Sequence, residues 1–104
     1  MYSKVIPMPE AYTDNIRNYF ATLPIEKAWV YGSFARGEER PDSDIDIMVR
    51  YSPEGVSLLK HAHIMNTLSD LLGREVDLVE EDCLLPFAVK SANDEKILVY
   101  ERNS

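Results

Sequence analysis

The chain of 104 residues contains a single cysteine, Cys83, and therefore cannot form an internal disulfide bond. It has no apolar run close to the roughly 20 residues that a membrane-spanning helix needs. Its first residues, MYSKVIPMPEAY, contain no apolar block of the secretory type. These absences argue against a disulfide-stapled secreted fold and against membrane association, and they predict a protein of the reducing cytoplasm.

Positive charge is also scarce, because 11 Lys and Arg stand against 18 Asp and Glu and give a formal net charge of −7. A protein that holds long nucleic acid through its phosphate backbone needs a basic surface, so the charge balance argues against that class. The acids cluster in two stretches, 38–46 and 75–82. Each cluster is either a solvated surface or a group of carboxylates that converge on a cation.

The sequence lacks internal repeats, low-complexity tracts and Gly/Ser-rich linkers, which predicts one domain over residues 1–104. Apolar residues at helical spacing, or an entry through proline, predict helices over 9–23, 57–72 and 85–95. Alternating or β-branched residues predict strands over 27–31, 44–51, 75–80 and 97–100. Ser57 and Gly73 are the expected cap and stop of the second helix. The expected fold is mixed α/β (α+β), a small sheet of three to four strands packed against helices.

Two acids lie two residues apart on the second predicted strand. Asp44 and Asp46 should project from one face of that strand, with α-carbons roughly 6.5 to 7 Å apart. Carboxylates so close repel each other unless a cation lies between them, and Mg²⁺ prefers carboxylate and phosphate oxygens. Asp77 can join them if its strand is the neighbour. The alternative is an exposed strand face that carries acids and binds nothing.

The segment GSFARG, residues 32–37, follows the first predicted strand. Gly32 permits a tight turn and close backbone approach, and a short helix that begins at Ser33 would direct free N–H groups and the Ser33 hydroxyl at an anion. Arg36 could contact a phosphate or form a structural ion pair. Turn and acids together predict a site where Mg²⁺ lies between carboxylates and the phosphates of a nucleoside triphosphate.

The motifs GSFARG, SDIDIMV and VDLV, in this order, resemble the signature of the nucleotidyltransferase superfamily related to DNA polymerase β, and in particular its minimal nucleotidyltransferases. The resemblance implies the nucleotidyltransferase fold. It assigns phosphate binding to Gly32 and Ser33, metal binding to Asp44 and Asp46, and the third carboxylate to Asp77. It also implies transfer of a nucleotide, with ATP as the expected substrate, to a hydroxyl group with the help of two Mg²⁺ ions.

The same resemblance implies a partner, because minimal nucleotidyltransferases are commonly encoded beside a HEPN-type RNase toxin. The chain is then expected to be the antitoxin, which attaches AMP to a toxin tyrosine. Two alternatives stay open: an antitoxin that neutralises its partner by complex formation with weak nucleotide binding, and a transferase that acts on an aminoglycoside-like small molecule. The sequence leaves open whether the chain forms homo- or hetero-oligomers.

The sequence predicts no catalytic role for its two histidines and a packing role for two aromatic residues. His61 and His63 lie two apart on a helix, point in different directions, and are predicted to be surface or edge residues. Trp29 and Tyr31 are predicted to pack within their strand, with base stacking as the alternative.

Overall fold

The computed structural model describes residues 9–37, 40, 44–81 and 96–102. The described helices are α1 (Glu10–Phe20), α2 (Ser33–Arg36) and α3 (Leu58–Leu72). The described strands are β1 (Ile25–Tyr31), β2 (Ile45–Tyr51), β3 (Val76–Glu80) and β4 (Ile97–Glu101). Each agrees with a predicted element to within a few residues at its ends. The helix predicted over 85–95 and Cys83 lie outside the described residues.

Helix α3 begins and ends at the residues that the sequence predicted. The Ser57 hydroxyl accepts a hydrogen bond from the backbone N–H of Lys60 at 3.1 Å, which satisfies one of the free donors of the first turn. Gly73 adopts the left-handed conformation at φ +66° and its N–H bonds to the carbonyl of Ser69. A residue with a β-carbon is disfavoured in that conformation, so glycine ends the helix there.

The four strands form a mixed sheet in the order β3-β2-β1-β4. Strand β1 pairs antiparallel with β2 and with β4, whereas β2 and β3 are parallel. Parallel neighbours need a crossover connection, and α3 provides it between β2 and β3. This arrangement of a small mixed sheet with helices confirms the predicted fold class.

The apolar residues of the strands divide between the two faces of the sheet. Ile45, Ile47 and Val49 of β2 are fully buried in the main core, which also contains residues of α1, α2 and α3. The other face carries a smaller cluster around Trp29 and Met48, against which three partly buried residues pack: Tyr31, Val79 and Leu98. The alternation read from the sequence therefore assigns β2 its two faces correctly.

His61 joins α3 to two strands. Its Nε2 lies 2.8 Å from the carbonyl oxygen of Leu78, and its Nδ1 lies 2.8 Å from the Tyr51 hydroxyl. Because a carbonyl only accepts, Nε2 carries the proton, and in the neutral ring Nδ1 accepts from the hydroxyl. His61 is thus half-buried and structural rather than a simple surface residue, whereas His63 is exposed as predicted.

None of the helices within the described ranges is both long and apolar enough to cross a membrane.

Candidate active site

The end of β1 and the beginnings of β2 and β3 meet at one edge of the sheet. Tyr31 of β1 is the register partner of Asp46 in β2, and Asp46 is the register partner of Asp77 in β3. Partners in adjacent strands have α-carbons about 4.5 to 5.5 Å apart and direct their side chains to the same face. The three side chains therefore form a row across three strands, which we call the acid row (Tyr31, Asp46 and Asp77).

The carboxylates of this edge differ in exposure. Asp77 is exposed, Asp46 is half-buried, and Asp44 lies exposed directly before the first residue of β2. A ligand can therefore approach the acid row from solvent. The register brings Asp46 and Asp77 together, whereas Asp44 precedes the paired part of the strand.

The turn after β1 lies directly against the carboxylate of Asp46. Gly32 has a φ of +72°, and a β-carbon built on it would lie 2.3 Å from Oδ2 and 3.1 Å from Cγ of Asp46. Any other residue would meet this carboxylate and would also adopt a conformation that L-amino acids disfavour. The turn and the acid thus occupy one small space, as the prediction of a shared ligand requires.

Helix α2 follows the turn at once and is held by its second residue. Phe34 is 1% exposed and packs in the main core, and the guanidinium of Arg74 lies 5.0 Å from the centre of its ring. Ser33 and Arg36 are the first and last residues of α2. Their side chains lie outside the part that the structure describes, so the phosphate contacts expected of them stay predictions.

Tyr31 is a member of this edge that the sequence analysis missed. Burial, followed by the negative charges of Asp46 and of Asp77, raises the pKa of its phenol to about 12. At neutral pH the group is therefore an uncharged hydroxyl beside two carboxylates. One signal could have found it: when two strands around a turn pair antiparallel, the residue before Gly32 comes opposite an early residue of the second strand.

Farther from the turn, the same face carries an ion pair. Arg50 donates two hydrogen bonds to the carboxylate of Glu81, at 2.8 and 3.0 Å, and this interaction holds the pKa of Glu81 below its usual value. Cations also approach Trp29: the Arg50 guanidinium lies 5.5 Å and the Lys96 ammonium 4.3 Å from the ring centre. Trp29 is only 7% exposed, which favours packing over the base-stacking alternative.

The residues at this edge fit Mg²⁺ by their donor chemistry. Within the described ranges, no group of three His, Cys, Asp or Glu side chains is arranged so that it could hold a metal ion. The available donors are carboxylate oxygens, and Asp46 and Asp77, which carry two of these carboxylates, are register partners. Mg²⁺ takes one or two protein carboxylates and completes its shell with water and substrate phosphates. These carboxylate donors therefore suit Mg²⁺ better than they suit metals that prefer nitrogen or sulfur ligands.

A cavity of about 410 Å³ lies toward the other end of β3, between that strand and the start of α3. Its lining includes Val56, Leu58, His61 and Leu78. Of the residues that line it in the described ranges, none belongs to the turn or to the acid row. The candidate site is therefore the edge with the carboxylates rather than this cavity.

The sequence and the fold of the chain are similar to those of known proteins. The family model described as "Polymerase beta, Nucleotidyltransferase" matches residues 14–104. Protein adenylyltransferase MntA of Thermococcus cleftensis is 36% identical over 89 residues, which cover 86% of each chain. A solved minimal nucleotidyltransferase is 38% identical with a TM-score of 0.72, covering 84% of this chain and 88% of its own.

A more distant structure shares the fold. It is a tri-AMPylated HEPN toxin of Shewanella oneidensis in complex with an MNT antitoxin; the match has a TM-score of 0.70 at 15% identity and covers 91% of this chain and 74% of that chain. On the extent of the family match and on the identity to these relatives, the chain belongs to the nucleotidyltransferase family related to polymerase β.

Proposed function

We propose that residues 1–104 form one adenylyltransferase domain that transfers AMP from ATP to a hydroxyl of a partner protein. The observation that carries the proposal is the joint placement of the Gly32 turn against Asp46 and of Asp46 beside Asp77. A turn open to phosphate and a pair of carboxylates at one accessible edge are the two parts that nucleotidyl transfer requires.

In the proposed reaction, an acceptor oxygen attacks the α-phosphorus of the nucleotide, the bond from that phosphorus to the bridging oxygen breaks, and pyrophosphate leaves. Asp46 and Asp77, which are register partners, would hold two Mg²⁺ ions, with Asp44 as a further candidate ligand. When bound, these ions supply charge for the phosphates and lower the pKa of the attacking hydroxyl.

The chain's own contribution is to position the reactants. The backbone at Gly32, with Ser33 and Arg36 as further candidates, would fix the phosphates beside Asp46. Asp77, which is exposed, would accept the proton of the attacking hydroxyl. A protein that positions groups and neutralises charge in this way performs most of the catalysis of phosphoryl-type transfer.

We further propose that the acceptor is a tyrosine of a HEPN-type toxin and that the chain is its antitoxin. Two similarities support this choice. One structure of the same fold is an antitoxin bound to an AMPylated HEPN toxin. The relative from Thermococcus is a protein adenylyltransferase. The formal net charge of −7 suits docking on a partner that binds RNA through a basic surface. We propose the cytoplasm as the compartment, where Mg²⁺ and ATP are available, because a chain with a single cysteine suits a reducing environment.

The test is to incubate the purified chain with Mg-ATP and the product of the neighbouring gene, which we propose to be a HEPN protein, and to weigh that product intact. We expect a mass gain in whole AMP increments that is lost when the accepting tyrosine is changed to phenylalanine. A stable complex without a mass gain would contradict the transfer and would support neutralisation by binding alone.

A further inference from the structure

Lys96 lies on the same face of the sheet as the acid row. It directly precedes β4, and its ammonium lies 4.3 Å from the centre of the Trp29 ring. Trp29 pairs with Leu98, and both belong to the apolar cluster of that face, against which Tyr31 also packs. The contact with Trp29 therefore assigns the Lys96 side chain to the face that carries Asp46.

The register also places Lys96 at the edge where the candidate site lies. Ile97 is the partner of Val30, and the two strands run antiparallel. Tyr31 follows Val30 and Lys96 precedes Ile97, so continuing the register brings Lys96 beside Tyr31. Lys96, Tyr31, Asp46 and Asp77 then lie side by side across all four strands.

The cations of this face are held in different ways. Arg50 forms two hydrogen bonds with the Glu81 carboxylate, at 2.8 and 3.0 Å, and Lys27 lies 3.4 Å from a carboxylate oxygen of Glu101. Lys96 is instead held over the ring of Trp29, and its charge also helps to hold the pKa of the Glu81 carboxyl below its usual value. Because a cation–π contact is weaker than a charge-assisted hydrogen bond to phosphate, Lys96 is, of these three described cations, the one most easily redirected to an incoming anion.

A nucleoside triphosphate at this edge would bring several negative charges next to Asp46 and Asp77, and it therefore needs nearby positive charge. Lysine is a common phosphate ligand, since it carries a compact charge on a flexible stem. We propose that Lys96 is a phosphate-binding residue of the nucleotide site, whose ammonium leaves the Trp29 ring for the triphosphate when nucleotide binds. This proposal rests on the proposed function and adds a residue to its site.

The only tryptophan of the chain makes the movement measurable, because Trp29 fluorescence reports whether the ammonium lies over the ring. Wild-type protein is titrated with Mg²⁺ and a non-hydrolysable ATP analogue, with magnesium tripolyphosphate, and with adenosine. We expect a saturable fluorescence change with the two phosphate compounds and none with adenosine.

Three variants separate charge from packing, with binding of the ATP analogue measured by calorimetry. Lys96→Met should lose the fluorescence change and bind the analogue about tenfold more weakly, as expected for one lost charge-assisted hydrogen bond. Lys96→Arg should retain most of the affinity. Lys27→Met, a matched loss of a lysine from the same face, should bind like the wild type.

The outcomes distinguish this proposal from the proposed function. If Lys96→Met binds the analogue as tightly as Lys27→Met, the role of Lys96 is refuted and the transferase proposal stands. If the wild type binds the analogue through Lys96 but never transfers AMP, the transferase proposal fails and this one stands. Wild-type protein that binds neither phosphate compound would contradict both.

Discussion

Replacing Gly32 with alanine tests whether the turn and the Asp46 carboxylate share one small space. The backbone at Gly32 has a φ of +72°, where an L-residue costs about 1–2 kcal/mol. The new β-carbon would also lie 2.3 Å from Oδ2 of Asp46. The carboxylate must then rotate away, at an additional cost of about 0.5–1.5 kcal/mol.

Together these effects should lower the free energy of unfolding of Gly32→Ala by about 1.5–3.5 kcal/mol. For a domain of this size, that corresponds to a fall in Tm of roughly 6–28 °C. The variant should still fold, because natural domains have about 5–15 kcal/mol of stability. It should nevertheless lose nucleotidyl transfer, since Asp46 no longer occupies its place beside Asp77.

Gly55→Ala is the matched control. Gly55 has a similar φ of +65°, but a β-carbon there would have no atom within 4 Å. Urea unfolding should therefore show the backbone cost alone, about 1–2 kcal/mol, with transfer activity unchanged. The reasoning would be refuted if Gly32→Ala were no less stable than Gly55→Ala and transferred AMP at the wild-type rate.

Three further predictions concern residues that the sequence analysis did not assign to the site. His61→Leu should lower the free energy of unfolding by about 1–3 kcal/mol, because it removes the hydrogen-bond partner of the Tyr51 hydroxyl and of the Leu78 carbonyl. The control His63→Leu should change that free energy by no more than about 0.5 kcal/mol, and urea unfolding measures both. The Tyr31 phenol should ionise near pH 12 rather than 10.0, so the stability that it contributes is present below pH 10 and is lost as the pH rises toward 12. An absorbance titration of the wild type against Tyr31→Phe measures this ionisation. Ionisation near pH 10.0 would contradict the prediction. Arg50→Met should raise the pKa of the Glu81 carboxyl toward 4.5. In the wild type the ion pair contributes stability above that pH and loses it as the pH falls, so the variant should lack this contribution. NMR titration of Glu81 tests this.

From the sequence, local structure could be predicted better than the pairing of the strands. Alternation identified β2 and its two faces, and the residue types at 57 and 73 identified the ends of α3, because these signals lie within a few residues of each other. The parallel pairing that brings Asp46 beside Asp77 depends on the crossover through α3. Here the resemblance to a family, rather than periodicity, supplied the expectation.

The contacts that were missed join residues far apart in the chain. Arg50 and Glu81 are separated by 31 positions, and His61 and Leu78 by 17. Neither pair is marked by a local pattern, since each depends on which strands become neighbours. Tyr31 was missed for a related reason: its type suits strand packing, and only the antiparallel register reveals the carboxylate opposite it.

The most direct test of the central claim is the rate of AMP transfer by Asp46→Ala, measured by intact mass of the partner protein with Mg-ATP. Asp70→Ala, at an exposed position of α3, is the matched control. We expect Asp46→Ala to fold, by circular dichroism and thermal unfolding, and to have no detectable transfer, whereas Asp70→Ala transfers like the wild type. A folded Asp46→Ala variant that transfers AMP at the wild-type rate would contradict the proposed active site.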